Sequence, residues 1–289
     1  MKLANYIEGS TTKAGLVLDS KIYPIPDQAG KDFPSVDRIL STDSLDFVRQ
    51  RQSEITRGEG QLIGSVKLAP PVLYPEKIYC AAVNYVSHLK EQNQSPPTEP
   101  YFFTKFRNAL TGTEDPILLP KISKDVDWEV ELAVIIGKRG KNISKDRAFD
   151  YVAGYTISND ISFRDLQKPG SMNYLGQNWV KGKGLDTAFP LGPWLVTKEE
   201  LVDPYSSEIS LTVNGVERQK SKIGEMVFKI DSLIEYVSAD VTLAPGDVIS
   251  TGTPLGVAAF TGAPFLKAGD VLEAKIQGIG VLKNYVKAQ

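Results

Sequence analysis

The sequence has 289 residues, enough for one large domain or for one domain with a small companion. Its 33 Lys and Arg residues against 35 Asp and Glu residues leave a net charge of −2, without the basic excess of a nucleic-acid-binding protein. A single Cys excludes an internal disulfide, and a single His excludes metal sites that need two histidines.

The first 72 residues are predicted to form a small N-terminal α/β domain. Apolar and aromatic residues on both sides of Asp19-Ser20 predict a β-hairpin that turns at this pair. Between residues 45 and 55 the apolar positions follow helical spacing, with Asp43 as the expected N-cap. A cluster of prolines follows and marks the expected boundary with a second domain, residues 73–289.

The second domain is predicted to consist mostly of β-strands. Short apolar runs bounded by Gly, Pro or Asp recur without regular alternation with helices, so a doubly wound parallel sheet is not expected. Asn214-Gly215 is typical of a two-residue hairpin turn, and the strongest helical pattern lies within residues 226–240. The predicted fold class is therefore α+β and rich in strands, with few helices.

Three carboxylates are candidates for a metal site. Glu129 and Glu131 alternate with apolar residues on a predicted strand and so face the same side, about 7 Å apart. Asp160 ends another predicted strand. Carboxylates without His or Cys suit Mg²⁺ or Mn²⁺, with Ca²⁺ as a further option. A Glu-x-Glu pair by itself is more often the solvated face of an edge strand.

The histidine lies in a predicted short helix with a carboxylate one turn away. His88 and Glu91 are spaced i and i+3, so their side chains can meet, and a carboxylate that accepts the imidazole N–H makes a general base of the ring. A surface His beside a solvated Glu shows the same spacing. The polar residues 92–98 that follow are typical of a mobile loop.

Several polar residues farther along are candidates for ligand contacts. Arg164 can clamp a carboxylate, Gln167 can orient a carbonyl, and Lys183 lies between two glycines that allow close approach to a ligand. A lysine flanked by glycines is more often an ordinary loop lysine. The Gly-rich residues 250–257 form either a plain turn or one whose N–H groups hold an anion.

Motifs from about residue 75 to the C-terminus follow a recognisable order. In chain order they are His88-x-x-Glu91, Lys105, Glu129-x-Glu131, Asn159-Asp160, Arg164-Asp165-x-Gln167, Lys183 with Asp186-Thr187, Pro190-Leu191-Gly192-Pro193 and Thr251-Gly252-Thr253-Pro254-x-Gly256-Val257. This order resembles that of the fumarylacetoacetate hydrolase family.

The resemblance implies a mixed β-roll core and a homodimer. It also implies roles for individual residues, which we list by role. The metal ligands would be Glu129, Glu131 and Asp160; the catalytic residues would be His88, Glu91 and Lys183; and the substrate-binding residues would be Lys105, Arg164, Gln167 and Thr253. Further candidates for the substrate pocket are Arg107, Phe163 and the loop near Tyr174.

The implied activity is metal-dependent hydrolysis of a C–C bond in a 2,4-dioxo acid of the acylpyruvate, fumarylpyruvate or fumarylacetoacetate type. In this mechanism the His–Glu dyad activates water and the metal stabilises the enolate that leaves. Decarboxylation of oxaloacetate and isomerisation of a hydroxymuconate or of a 2-hydroxyhepta-2,4-diene-1,7-dioate are the alternatives on the same scaffold. A more distant alternative is a protein that binds oxo acids without catalysis.

The sequence also predicts where the protein works. Its first residues lack the apolar stretch of a signal peptide, and no apolar run approaches the ~20 residues of a membrane span. We therefore expect a cytoplasmic protein whose partner is a small oxo acid, without nucleic acid or membrane.

Overall fold

The structure is a computed structural model that describes residues 1–168 and 176–289. Its strands are β1 (Lys2–Glu8), β2 (Thr11–Leu18), β3 (Lys21–Pro24), β4 (Gln61–Leu62), β5 (Lys67–Ala69), β6 (Ile78–Ala82), β7 (Tyr101–Thr104), β8 (Leu110–Thr111), β9 (Pro116–Leu119), β10 (Val126–Asp127), β11 (Val130–Ile136), β12 (Val152–Asn159), β13 (Ser162–Phe163), β14 (Phe189–Thr197), β15 (Glu208–Val213), β16 (Val216–Lys222), β17 (Val248–Ser250), β18 (Val271–Ile276) and β19 (Gly280–Ala288). Its helices are α1 (Val36–Ser41), α2 (Leu45–Gln50), α3 (Gln52–Ile55), α4 (Val86–Glu91), α5 (Arg164–Gln167), α6 (Trp179–Lys183), α7 (Ile230–Ser238) and α8 (Ala258–Thr261).

Most strands of the described residues belong to two mixed sheets. The larger sheet has the order β4-β3-β2-β1-β14-β12-β11-β17-β6-β7, with β5 beside β1 and β8 beside β14. The smaller sheet has the order β16-β15-β18-β19-β9, and β10 pairs with β13. Short helices join these strands. The predicted fold class, α+β and rich in strands with few helices, is confirmed.

Both predicted hairpin turns are present. Asp19 and Ser20 have φ values of 49° and 65°, and Asn214 and Gly215 have φ values of 53° and 76°. Two successive residues with positive φ are what a type I′ turn requires, since its twist matches that of the flanking strands. The turns connect β2 with β3 and β15 with β16.

The helix predictions hold in part. The pattern within residues 226–240 contains α7, but that helix begins at Ile230 because Met226 instead forms a β-bridge with Tyr85. Residues 45–55 form two helices rather than one, and the N-cap position is Ser44 rather than Asp43.

The N-terminal residues join the rest of the larger sheet through β1. β1 pairs antiparallel with β14, so that Lys2 lies opposite Val196 and Leu3 opposite Leu195. β1 also pairs with β2 and with β5. The division between residues 72 and 73 stays a prediction.

The directions of four strands bring the candidate site together. β11 runs antiparallel to β12 and to β17, and β6 runs parallel to β17. The beginning of β11 therefore lies at the same edge as the ends of β12, β17 and β6. Glu129 precedes β11, Asp160 follows β12, Gly252 follows β17, and α4 with His88 follows β6. All residues of β11 and β12 are buried.

Among the described residues, no helix combines the length and the apolar character that crossing a membrane would need.

Close packing between β12 and β14 predicts that Gly154→Ala will destabilise the fold. A Cβ atom at Gly154 would lie 2.1 Å from the carbonyl oxygen of Val196. Two backbones that are paired in a sheet cannot move apart to relieve this clash. We expect the free energy of unfolding to fall by about 1–3 kcal/mol, measured by urea denaturation. Gly64→Ala is the control, because nothing lies within 4 Å of its added Cβ atom. Equal stability of the two variants would contradict this packing.

Candidate active site

The three predicted carboxylates form one buried cluster. Carboxylate oxygens of Glu129, Glu131 and Asp160 lie within 4.8 Å of one another, and these residues are 6%, 1% and 0% exposed. The side chain of Asn159 supports the cluster by accepting a hydrogen bond from the backbone N–H of Glu129 at 2.9 Å. Burial excludes the alternative of a solvated Glu-x-Glu pair on an edge strand.

Two cations neutralise part of the cluster. Lys183 Nζ lies 2.9 Å from Glu129 Oε2 and 2.6 Å from Asp160 Oδ2, and it also donates to Ser162 Oγ at 2.6 Å. Arg164 Nη2 lies 2.6 Å from Glu129 Oε1. Lys183 is thus a buried lysine of the cluster and not an ordinary loop lysine. Gly182 allows this position, since a Cβ atom there would lie 2.3 Å from the Gln167 side chain.

These contacts lower the pKa of Glu129 and raise the pKa of Lys183. Burial alone would raise the pKa of Glu129, but the charges of Lys183 and Arg164 outweigh burial and hold it well below its usual range. Burial likewise opposes the charge of Lys183, yet Asp160 and Glu129 raise the Lys183 pKa. Both groups are therefore charged in the folded protein.

Glu131 is in a different electrostatic environment. Burial and the nearby charges of Asp160 and Glu129 raise its pKa well above the usual range. Its Oε2 accepts hydrogen bonds from Ser250 Oγ and from the backbone N–H of Gly252 at 2.9 Å. The turn at residues 250–257 thus holds the protein's own Glu131 carboxyl group rather than an external anion.

The donor set fits a divalent cation. Oxygen atoms from three carboxylates converge without any nitrogen or sulfur ligand in the cluster, which is the chemistry that Mg²⁺ and Mn²⁺ prefer. Asp160 Oδ1 is buried, and the cation that pairs with it among the described residues is Lys105 Nζ at 2.6 Å, in a contact without hydrogen-bond geometry. The repulsion that raises the pKa of Glu131 is what a cation would relieve.

The predicted His–Glu pair is formed on α4. His88 Nδ1 lies 2.6 Å from Glu91 Oε1, and Glu91 Oε2 accepts the backbone N–H of Gly256 at 3.1 Å. Since a carboxylate faces Nδ1, we assign the ring proton to Nδ1 and the lone pair to Nε2. Nε2 lies 2.7 Å from the side-chain nitrogen of Gln92.

Glu129 and Glu131 of the carboxylate cluster and His88 of the His–Glu pair line one cavity of about 420 Å³, whereas Asp160 and Glu91 lie behind these residues. Its polar wall includes, besides His88, the side chains of Gln92, Gln94, Glu129, Glu131, Arg164, Gln167, Gln177, Lys183 and Thr253. Its apolar wall includes Phe103 and Trp179, whose rings stack with centroids 4.6 Å apart. The cavity thus joins a cation site, a candidate base and a flat apolar surface.

Lys105 is located behind the cluster rather than in the cavity wall that the described residues form. Its Nζ lies 2.6 Å from Asp160 Oδ1 and donates to the carbonyl oxygens of Ile161 at 2.9 Å and Ala188 at 2.6 Å. Burial lowers its pKa, and Asp160 offsets part of that effect. This placement favours orientation of Asp160 over direct contact with a substrate. The other predicted substrate-binding residues, Arg164, Gln167 and Thr253, line the cavity.

Two of the further pocket candidates, Arg107 and Phe163, lie away from the cavity wall. Arg107 stacks over the ring of Tyr74, with its guanidinium carbon 5.3 Å from the ring centroid. Phe163 is fully buried in the hydrophobic core. Tyr174 lies outside the described residues.

Sequence reasoning assigned no role to several residues of the site. Ser162 and Ser250 donate or accept at the cluster, and Gln92 contacts the imidazole. Asp127 anchors Arg164 through Nε at 2.9 Å. Ser162 lies three positions after the end of β12, and Ser250 ends β17, so both stand near the ends of strands that carry the site, which is a signal that the sequence contains. The contact of Asp127 with Arg164 has no local signal, because 37 residues separate the two.

Residues 77–287 match a protein family that is described as "Fumarylacetoacetate (FAA) hydrolase C-terminal". The chain belongs to the fumarylacetoacetate hydrolase family. A family member from Xenopus laevis, the mitochondrial oxaloacetate tautomerase fahd2, is 48% identical over 223 residues, 77% of this chain and 69% of the relative. The mitochondrial oxaloacetate tautomerase FAHD2A of Bos taurus is 42% identical over 264 residues, 88% of this chain and 83% of the relative.

Solved structures of the family share the fold over the whole chain. The fumarylacetoacetate hydrolase of the psychrophile Exiguobacterium antarcticum is 31% identical, with a TM-score of 0.83 and full coverage of both chains. Maleylpyruvate hydrolase of Sphingobium sp. SYK-6, solved with manganese(II) ion and pyruvate, is 30% identical, with a TM-score of 0.80. The alignment covers 100% of this chain and 99% of that one. Family members therefore include tautomerases and hydrolases.

The cluster predicts that Glu131→Gln will weaken binding of Mn²⁺. The Gln side chain can still accept the hydrogen bonds from Ser250 and Gly252, but it lacks the negative charge. We expect the Kd for Mn²⁺ to rise by at least about tenfold, or about 1.4 kcal/mol, in isothermal titration calorimetry. The exposed residue Glu217 supplies the control variant Glu217→Gln. Unchanged affinity in Glu131→Gln would remove this carboxylate from the metal site.

The raised pKa of Glu131 predicts that Mn²⁺ binding releases protons. Because the pKa is above the usual range, Glu131 keeps its proton to a higher pH than an ordinary glutamate, and a cation must displace that proton. Affinity for Mn²⁺ should therefore increase as the pH rises towards and through that pKa. Calorimetry in two buffers of different ionisation enthalpy measures the released protons. Proton release that persists undiminished in Glu131→Gln would assign it to another group.

Proposed function

We propose that the protein is a metal-dependent enzyme that interconverts the keto and enol forms of oxaloacetate. The observation that carries this proposal is that one cavity is lined both by Glu129 and Glu131 of the buried carboxylate cluster and by His88, whose ring Glu91 orients. The two oxaloacetate tautomerases that match this chain at 42% and 48% identity support the choice of reaction.

The cation would be held by Glu129, Glu131 and Asp160. A divalent cation in such a site acts as a Lewis acid towards the oxygens of a 2-oxo acid. When all are ionised, the four buried carboxylates here, the three ligands and Asp127, exceed the cations Lys105, Arg164 and Lys183 by one negative charge. A divalent cation reverses that sign, which favours a substrate with two carboxylates.

His88 is the candidate base. With Nδ1 donating to Glu91, Nε2 is the nitrogen that takes a proton from C3 of the keto acid. The C3–H electron pair moves into the C2–C3 bond, and the C2=O π pair moves onto the oxygen. That oxygen takes a proton from the His88 imidazolium or from water to give the enol. The reverse transfer restores the keto form, so no other reactant is consumed. Displacement of the Gln92 amide from Nε2 is required first.

The remaining side chains of the cavity wall orient the substrate. Lys183 is held charged beside the cluster and stabilises negative charge on an oxygen of the substrate. Arg164, Gln167 and Thr253 line the same wall and supply hydrogen-bond donors and acceptors for its carboxylates and carbonyl groups.

Hydrolysis of a C–C bond in a 2,4-dioxo acid is the second candidate. The oriented His–Glu pair favours it, because such a pair activates water, and the maleylpyruvate hydrolase neighbour shares the fold. Here His88 takes a proton from water, and the hydroxide adds to the distal carbonyl carbon. The bond between that carbon and C3 then breaks, and its electron pair forms a pyruvate enolate. Decarboxylation of oxaloacetate and isomerisation of a hydroxymuconate would use the same enolate-stabilising residues.

We further propose a cytoplasmic homodimer. Mass photometry of the purified protein tests the dimer, and a monomeric mass would contradict it.

Wild-type activity tests the proposed reaction. We expect loss of the enol absorbance of oxaloacetate to accelerate in the presence of Mn²⁺ or Mg²⁺ and the acceleration to disappear with EDTA. Acetylpyruvate and fumarylpyruvate are tested in parallel, with pyruvate measured as product. If pyruvate forms from these dioxo acids while oxaloacetate tautomerises at the uncatalysed rate, the hydrolase is the correct assignment.

Removal of the base tests its role in either reaction. His88→Ala should lower kcat by about 10²–10⁴-fold, the typical contribution of a general base, and leave the Kd for Mn²⁺ unchanged. Lys90→Ala, an exposed position on the same helix, is the control and should retain activity. Wild-type kcat in His88→Ala would remove the imidazole from the mechanism.

A further inference from the structure

Asp127 lies between Arg164, which contacts the carboxylate cluster, and α8, which contacts His88. It accepts four hydrogen bonds. It is fully buried at the end of β10. Its Oδ1 accepts the backbone N–H groups of Trp128 and Ala258, both at 2.8 Å. Its Oδ2 accepts the N–H of Ala259 at 3.1 Å and Nε of Arg164 at 2.9 Å. A carboxylate is the side chain that satisfies four donors with two atoms.

On one side Asp127 fixes a cation of the carboxylate cluster. The guanidinium of Arg164 is planar, so holding Nε sets the direction of the remaining nitrogens. Nη2 then lies 2.6 Å from Glu129 Oε1. Asp127 thereby orients the cation that neutralises one proposed metal ligand.

On the other side Asp127 fixes the segment that contacts the base. α8 has only four residues, and its N-cap residue, Val257, has no side chain that can accept its first N–H groups. Asp127 accepts two of them instead. In the same segment Phe260 packs edge-on against His88, with ring centroids 5.9 Å apart, and Gly256 donates to Glu91.

We propose that Asp127 is a positioning residue that holds the His88–Glu91 pair in register with the carboxylate cluster, through Arg164 on one side and α8 on the other. It does not touch the substrate itself. The expected fall in kcat rests on the proposed function. The placement of His88 can be measured without any activity.

The test compares Asp127→Asn with Asp247→Asn in the full-length protein. The Asn side chain has the same shape, but its NH₂ group would face two donors, Ala259 N–H and Arg164 Nε. Asp247 is a matched control, since it is also fully buried, accepts two backbone N–H groups and pairs with Lys77 at 2.9 Å. Both variants lose a buried carboxylate, but only Asp127→Asn breaks contacts of the site.

Two readouts separate positioning from general stability. We expect Asp127→Asn to lower kcat by about 10–100-fold, as removal of partners that orient a metal site does, with KM changed by less than about threefold. Because the chain has a single His, its imidazole NMR signal reports on His88 alone. That signal should shift in Asp127→Asn, as Phe260 moves, and should stay in place in Asp247→Asn.

Ala258→Pro provides a second variant if Asp127→Asn fails to fold. Proline is tolerated at the first position of a helix, and Val257 has the extended backbone that a following proline needs. The variant removes one N–H donor of α8 while Asp127 and Arg164 remain. We expect the His88 signal to shift here too.

The positioning role of Asp127 and the proposed function can fail independently. An unchanged His88 signal in the folded variants would overturn the proposal, as would equal losses of kcat in Asp127→Asn and Asp247→Asn. If the wild-type protein acts on none of the tested acids, the proposed function fails, and the His88 signal alone decides whether Asp127 positions the pair.

Discussion

The structure depends above all on the burial of three like charges at one edge of the central sheet. Glu129, Glu131 and Asp160 would repel one another strongly in a low-dielectric interior. The fold offsets this repulsion with Lys105, Lys183 and Arg164, but only in part, and burial together with the nearby charges of Asp160 and Glu129 raises the pKa of Glu131. A sheet that serves stability alone would have apolar residues at these positions. The incomplete neutralisation is therefore the strongest indication of a cation site.

The same edge of the sheet also carries the candidate base that removes a proton from a 2-oxo acid. Because β6 and β17 run parallel, the helix that follows β6 and the turn that follows β17 lie side by side. His88 on that helix lines the cavity, Glu91 holds the Nδ1 side of its ring, and Gly256 of that turn donates to Glu91. The base, the proposed metal ligands and the charged Lys183 thus share one cavity. This arrangement suits enolate chemistry in general, and the relatives supply the reason for placing oxaloacetate first.

Several features could be predicted because neighbouring residues determine them. The hairpins at Asp19-Ser20 and Asn214-Gly215 need positive φ at two successive residues, and short polar residues or Gly adopt it readily. The His88–Glu91 contact follows from helical spacing. The helix predicted within residues 226–240 is shorter than its apolar pattern, because Met226 joins a β-bridge to Tyr85. Such a bridge depends on a strand-like segment about 140 residues away and has no local signal.

By itself, the sequence determined the class of fold, the residue types of the site and their likeness to one family, since these depend on composition, periodicity and short spacings. Only the tertiary structure decided which side chains meet. Ser250 reaches Glu131 across 119 residues, and Lys105 lies behind Asp160 rather than in the cavity wall. The role of Asp127 also emerges only there, because its four donors come from three separate parts of the chain. Buried charges choose partners by proximity in space, and sheet register sets that proximity.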